Sequence, residues 1–124
     1  MIKAKQIQVK NKQVLKSLLT KKYNSTLIEI TEYVIDNYGV FITEGYREAL
    51  HPYDVHATNP VRALDLRYRV YPKETAYKIR DEINQKWQYD SDRSTKRCCI
   101  IHKVKGGKIH FHLQVHPNTR RTGI

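Results

Sequence analysis

Apolar residues recur every three or four positions in three stretches of the chain, a period that predicts amphipathic helices. The first helix is predicted over residues 11–22 and the third over residues 73–87. The second opens where Thr26 and Glu29 form a capping-box pattern. It ends at Gly39, because glycine readily adopts the left-handed conformation that stops a helix.

Four other stretches have the composition or the alternation of strands. An apolar run at residues 40–43 predicts a buried strand, and residues 63–70 alternate apolar with polar side chains. Residues 97–104 and 108–116 are predicted as two further strands, joined by a Gly-Gly hairpin turn. The segment 44–60 is rich in proline and polar residues, which indicates a loop.

Because helices and strands are partly segregated and the last two strands are antiparallel, the pattern indicates the α+β class. We expect a small antiparallel sheet packed with two or three helices. No internal repeat or linker divides the sequence, so a single domain over residues 1–124 is predicted.

The formal net charge of +11 predicts attraction to an anionic partner, such as nucleic acid, acidic lipid or an anionic cell-wall polymer. The same excess of lysine equally serves solubility. The basic residues are dispersed along the chain rather than gathered in a stripe between aromatic residues. We therefore do not expect nucleic acid to be the partner.

The sequence also bears on compartment. No stretch approaches the roughly 20 apolar residues that span a bilayer, and residues 1–6 lack the apolar core of a signal peptide. We expect cytoplasmic synthesis, with release to the cell wall by a separate route left open. The adjacent Cys98 and Cys99 are poorly placed for a mutual disulfide, which agrees with a reducing compartment.

Three histidines share one face of the last predicted strand, since side chains two or four positions apart point the same way. These are His110, His112 and His116, and the alternate positions hold Phe111, Leu113 and Val115. Neutral imidazole is the commonest protein ligand for transition metals. A strand with imidazoles on one side and hydrocarbon on the other predicts the wall of a metal site, although we expect His116 to be an exposed strand end rather than a ligand.

His56 in the long loop and Asp65 on the next strand would complete a three-ligand zinc set that leaves a fourth tetrahedral position for water. From spacing alone, a turn or capping role is the more common one for such residues, and we favour it over a metal site at this point. His51 is an alternative ligand that we rank lower.

Four short motifs occur in an informative order. They are Glu44-Gly45-Tyr46-Arg47, Val55-His56, Ala63-Leu64-Asp65 and His110-Phe111-His112. The set resembles the zinc-binding superfamily that unites D-alanyl-D-alanine metallopeptidases with the Hedgehog signalling domain. In that superfamily a Ser-Gly-Tyr-Arg strand end, Ser-x-His, Ala-x-Asp and a late His-x-His follow one another. The resemblance covers residues 42–112, which is more than half of the chain.

The resemblance implies a Hedgehog/DD-peptidase-like fold and a zinc ion (Zn²⁺) held by His56, Asp65 and His112. It implies that His110 stands beside the metal. It also implies that Arg47 pairs with a carboxylate or carbonyl of a peptide substrate, a task that suits the planar fork of arginine.

Two departures from the family pattern affect this interpretation. His56 and Asp65 are separated by eight residues, whereas the family usually has six. The usual catalytic glutamate before the last histidine is absent, because residues 105–109 hold no carboxylate. His110 is therefore the first candidate for the general base. Glu44 and Asp54 are more distant candidates.

His102 is the second candidate base, and the register of the hairpin decides it. If Gly106-Gly107 is a two-residue turn, His102 lies opposite Phe111, on the wrong side of the sheet. A three-residue loop or a bulge would bring His102 to the face that carries His110.

The leading hypothesis is a zinc-dependent peptidase that cleaves peptidoglycan stem peptides, as a D-alanyl carboxypeptidase or an endopeptidase. A basic hydrolase without a signal peptide is also typical of a phage lysis enzyme. The first alternative is a catalytically inactive zinc-binding or structural module of the same fold, which the missing glutamate favours. A basic nucleic-acid-binding domain ranks third.

Overall fold

The computed structural model describes residues 1–104, 106 and 108–122. Within these residues the chain has three helices, a main sheet of five strands and a small second sheet. The helices are α1 (Lys12–Thr20), α2 (Ser25–Tyr38) and α3 (Lys73–Lys86). The predicted α+β class is confirmed.

Side-chain caps set the starts of the first two helices. Asn11 accepts a hydrogen bond from the backbone N–H of Val14 and thereby caps α1. The cap of α2 is Asn24, whose side chain accepts from Thr26 and Leu27, so the predicted capping box at Thr26 was wrong by two residues. Asparagine caps a helix at least as well as threonine, and here it precedes the predicted start.

Gly39 ends α2 as predicted, with a φ of +76° that a side chain would strain. The neighbouring backbone imposes a second requirement at this position. A Cβ atom at Gly39 would lie 2.1 Å from the carbonyl oxygen of Lys3. The segment before the first strand therefore packs directly on the end of α2.

The main sheet contains β1 (Ile7–Val9), β2 (Val40–Glu44), β3 (Ala63–Arg67), β5 (Cys99–Lys103) and β6 (Ile109–Gln114), in the order β1-β2-β3-β6-β5. Three of its strand pairs are antiparallel, but β1 pairs with β2 in parallel. The prediction of a purely antiparallel sheet was therefore wrong. Its cause is β1, a three-residue edge strand that is too short to show a period in the sequence.

The second sheet pairs β4 (Trp87–Gln88) with β7 (Arg120–Arg121). Trp87, which the helical period assigned to α3, thus lies in a strand. The strand predicted over residues 63–70 also ends earlier, at Arg67. Both differences lie at element ends, where long-range pairing overrides the local period.

The two faces of the main sheet differ in character. Leu66, Phe111 and Leu113 are fully buried on one face, in a cluster with apolar residues of α2 and α3 such as Ile30 and Ile79. The opposite face carries polar side chains from the alternate positions of β3 and β6. This face forms the floor of a cleft of about 1100 Å³.

The hairpin between β5 and β6 has the register that brings His102 to the polar face. His102 lies opposite His110, and Lys103 lies opposite Ile109. The backbone N–H of Val104 donates to the carbonyl of Lys108, so residues 105–107 connect the strands. The two-residue register considered above is therefore wrong. The Gly106-Gly107 turn itself lies partly outside the described residues, because only Gly106 is described.

In the part of the chain that the structure describes, no helix is long and apolar enough to cross a membrane. Both cysteines are buried free thiols. Burial raises the pKa of Cys98 to about 12, which keeps the thiol protonated and unreactive near neutral pH.

Candidate metal centre

Three elements that are separated in sequence bring the predicted ligands together. Asp65 on β3 is paired in register with His112 on β6, so both side chains project from the polar face of the sheet. His56 lies in a short 3₁₀ turn, Val55–Ala57, that closes over this face. Asp54 caps the turn by accepting a hydrogen bond from the backbone N–H of His56.

The carboxylate of Asp65 is the centre of the group. Its Oδ1 lies 2.9 Å from Nδ1 of His112 and 3.3 Å from Nε2 of His56. The three donor atoms lie within 4.8 Å of one another, which is close enough for one ion to contact all of them. The predicted set His56, Asp65 and His112 is therefore brought together, although eight residues separate the first two in the sequence.

The tautomer of His56 is set by the backbone. Its Nδ1 lies 2.8 Å from the carbonyl oxygen of Gly45, which can only accept, so Nδ1 carries the proton. The lone pair of the neutral ring is then on Nε2. This atom is buried and has no hydrogen-bond partner among the described residues. Nε2 lies 3.3 Å from an oxygen of Asp65, so in the neutral ring its lone pair opposes that oxygen unless a cation lies between them. His56 is only 1% exposed.

His112 is fixed in a matching way. The side-chain N–H of Gln114 donates to the carbonyl of Arg97 at 2.8 Å, which turns the Gln114 oxygen toward the histidine. This oxygen lies 3.2 Å from Nε2 of His112 and accepts from it when Nε2 is protonated; Nδ1, 2.9 Å from Oδ1 of Asp65, is then the nitrogen at which an ion would replace a proton. Each ligand histidine thus has an outer carbonyl oxygen that orients it, the arrangement typical of metal-ligating imidazole.

These features fit a divalent metal ion. Two imidazole nitrogens and one carboxylate oxygen form a usual zinc set with an open position. The same donor set also accepts other first-row divalent ions, so the residues alone do not specify which ion is bound.

The electrostatics favour an ionised carboxylate at the centre. Burial by itself raises the pKa of Asp65, but contact with His112 and His56 holds that pKa well below its ordinary value. Burial lowers the pKa of His56, and the neighbouring Asp65 more than reverses this effect. A negative charge therefore sits among imidazoles in a largely buried position.

Arg47 lines the cleft but is already paired. Its Nη1 lies 2.6 Å from Glu44, and Nε and Nη2 donate to the carboxylate of Asp54 at 3.3 Å. Asp54 in turn caps the turn that carries His56. The structure therefore connects Arg47 to the metal group through Asp54, rather than leaving its guanidinium free.

The two candidate bases lie beside the metal group. Nε2 of His110 is 3.8 Å from Oδ2 of Asp65, and the rings of His102 and His110 are 5.3 Å apart. Burial lowers the pKa of His110, which favours its neutral form near pH 7. His110 is thus next to the carboxylate of the metal group, whereas His102 contacts His110 rather than the metal group.

The remaining histidines lie away from the metal group. His51 is exposed in the loop that borders the cleft. His116 lies after the end of β6, where it is half-buried, and its Nδ1 accepts from the backbone N–H of Asn118. The prediction of an exposed strand end for His116 was therefore wrong in burial, because Asp90 and Tyr89 pack against it.

Sequence reasoning missed the two groups that orient the ligands. Gln114 shares the parity of His110 and His112, so its position on the metal face was readable from the strand pattern. The carbonyl of Gly45 carried no such signal, since any residue supplies a backbone oxygen.

Comparison of the chain with family models, curated proteins and solved structures gives no match.

The role of Gln114 predicts a measurable loss of zinc affinity. Replacing Gln114 with leucine removes the oxygen that orients the ring of His112, so we expect zinc to bind about 10- to 100-fold more weakly. Competition with a chelating dye would measure this. Gln13→Leu on the exposed side of α1 is the control and should leave affinity unchanged. Equal affinity in both variants would remove Gln114 from the site.

Proposed function

We propose that this chain is a zinc-dependent peptidase that cleaves peptidoglycan stem peptides beside D-alanine, as a carboxypeptidase or an endopeptidase. One observation carries the proposal: the buried, unpartnered Nε2 of His56 faces Asp65 and His112 across a space suited to a cation. The order of the four motifs supports the peptide substrate. The net charge of +11 suits an anionic cell wall, the setting of a phage lysis enzyme.

Zinc in such a site supplies a Lewis acid and lowers the pKa of a coordinated water. The chain supplies the proton acceptor. We assign this role to Nε2 of His110, because its ring is held next to Asp65 and burial keeps it neutral. His102, whose ring packs against His110, is placed to support that ring.

Arg47 has two possible roles in the proposal, and the contacts favour one of them. Its bonds to Asp54 support the turn that carries His56. Contact with a substrate carboxylate would require Arg47 to exchange Glu44, whose side chain is 40% exposed at the cleft. We therefore assign Arg47 first as a positioning residue for His56 and only second as a substrate contact.

The role of His110 is tested by His110→Gln in zinc-loaded protein. Hydrolysis of purified peptidoglycan should fall by about 100-fold or more, because positioned general bases contribute 10²–10⁴. Zinc content by elemental analysis should stay at the wild-type level, since His110 is not one of the three ligands. His51→Gln, at an exposed position away from the metal group, is the matched control and should retain activity. Full activity of His110→Gln would remove this residue from the mechanism.

A second candidate is a zinc-binding module that hydrolyses nothing. One observation favours it: Glu44 and Asp54, the carboxylates that border the cleft outside the ligand set, are both bound to Arg47. If the protein binds about one zinc ion per chain but releases no peptide from peptidoglycan, this result would support the module and contradict the peptidase.

A further inference from the structure

The cleft has two ends of different charge. Glu44 and Asp54 border the end near Arg47. Arg62, Arg93 and Lys96 border the cleft without any comparable carboxylate partner in its lining. A ligand that lies across the ion would therefore meet cationic side chains at one of its ends.

Tyr89 lies within the cationic end. Tyr89 is 6% exposed and lines the cleft; its hydroxyl makes no hydrogen bond to any described residue and is not one of the buried polar atoms without a partner, so it is open to the cleft. Arg62 and Arg93 line the same cleft as Tyr89. Burial raises the pKa of Tyr89, and the positive charges of these two arginines oppose that rise. A phenol O–H that is open to the cleft and has no acceptor in the protein can donate a hydrogen bond to a ligand.

Both arginines have side-chain N–H groups that donate to no described residue. The side chain of Arg62 donates no hydrogen bond within the described part of the chain. Nε of Arg93 lies 3.7 Å from the buried carboxylate of Asp90, which holds its stem while leaving the terminal amino groups unpaired among these residues. Arginine presents five N–H donors in a fixed fork that matches a carboxylate.

The backbone ties this end of the cleft to the strand that carries the metal ligands. The N–H of Val115, three residues after His112, donates to the carbonyl of Arg62 at 2.9 Å. Three extended residues span about 10 Å. The hydroxyl of Thr119 donates to the carbonyl of Tyr89 and fixes the other wall. The cationic end is therefore roughly the length of a tripeptide from the ion position.

We propose that Arg62, Arg93 and Tyr89 form an anion subsite that binds a carboxylate of the peptide substrate, roughly three residues from the bond to be cut. The proposal rests on the proposed peptidase function for the position of that bond. It adds a substrate class: peptides with an acidic side chain or a terminal carboxylate on one side of the ion.

Binding tests this subsite without requiring hydrolysis. The probes are blocked alanine hexapeptides in which one glutamate is moved along the chain, each compared with its glutamine counterpart on zinc-loaded protein by calorimetry. At one or two positions the glutamate peptide should bind about tenfold more tightly, because a carboxylate accepts stronger hydrogen bonds from arginine than a neutral amide does. Arg62→Gln/Arg93→Gln should abolish the difference, and Tyr89→Phe should reduce it about threefold.

The control removes two charges elsewhere. Arg69→Gln/Arg120→Gln changes the net charge equally at exposed positions outside the cleft lining, and the glutamate preference should persist. Equal affinity for both peptides, no measurable binding of either, or a preference that survives Arg62→Gln/Arg93→Gln would overturn the subsite.

Two further arms separate the related ideas. If the preference depends on the two arginines but no peptide is hydrolysed, the peptidase fails while the subsite stands. If peptides are hydrolysed but no glutamate preference is found, the subsite fails while the peptidase stands. If a ten-nucleotide thymidine oligonucleotide binds more tightly than the glutamate peptides through the same arginines, the ligand is phosphate and the carboxylate assignment is wrong.

Discussion

Asp65→Ala should lose zinc. The wild-type chain should hold about one ion, and the variant should bind it at least about 100-fold more weakly, because the change removes the central ligand that both imidazoles face. Peptide hydrolysis should disappear with the metal. Elemental analysis after dialysis against trace zinc measures the first effect, and release of peptides from peptidoglycan measures the second.

A stability measurement separates loss of metal from loss of fold. Zinc binds the folded state, so it should raise the melting temperature of the wild type but not of Asp65→Ala. Asp36→Ala on the exposed side of α2 is the control and should behave as wild type. If Asp65→Ala retains zinc in proportion to chain, the three-residue site is wrong and so is the peptidase built on it.

Phe111→Ala should give the largest loss of stability, about 3–5 kcal/mol, because a fully buried phenylalanine leaves a cavity when truncated. Phe111 is 0% exposed at the centre of the main sheet. Its ring centroid lies 5.8 Å from that of Tyr68 and 5.6 Å from that of Tyr71. Urea unfolding of the metal-free protein, followed by circular dichroism, measures the difference.

The chain offers a matched control in its other phenylalanine. Phe41 lies on β2 and is only partly buried, with the guanidinium of Arg67 stacked 4.0 Å from its ring centroid. Phe41→Ala deletes the same atoms at a more exposed position, so we expect less than half the loss of Phe111→Ala. Equal losses at both positions would contradict the assignment of the core to the Phe111 face.

The helices were predictable because their signals are local. The three-residue and four-residue spacing of apolar side chains and the glycine at position 39 act within a few residues of where they occur. The start of α2 was misplaced because two neighbouring residues, Asn24 and Thr26, both have capping side chains. Either side chain is able to cap the helix, and only the folded structure shows that Asn24 does so.

The parallel strand β1 and the hairpin register were not predictable in the same way. Three residues, Ile7–Val9, hold too few positions for a period, and they become a strand only because β2 supplies hydrogen-bond partners. The position of His102 depends on whether the connection holds two or three residues, a choice that the adjacent glycines leave open. A shift of one residue reverses the face of every side chain on a strand.

The sequence by itself determined which side chains of β6 share a face, because side chains alternate between the two faces of any extended strand. It thereby placed the imidazoles on the face opposite the core. Through the order of the motifs it also indicated His56 and Asp65 as their partners. Only the tertiary structure decided how His56 reaches the same point, that Gly45 and Gln114 supply oxygen atoms to the outer ring nitrogens of the two ligand histidines, and that Arg47 is bound to Asp54. Those contacts join residues from separate elements, and their distances depend on how the loop over residues 45–62 packs against the sheet rather than on any local pattern.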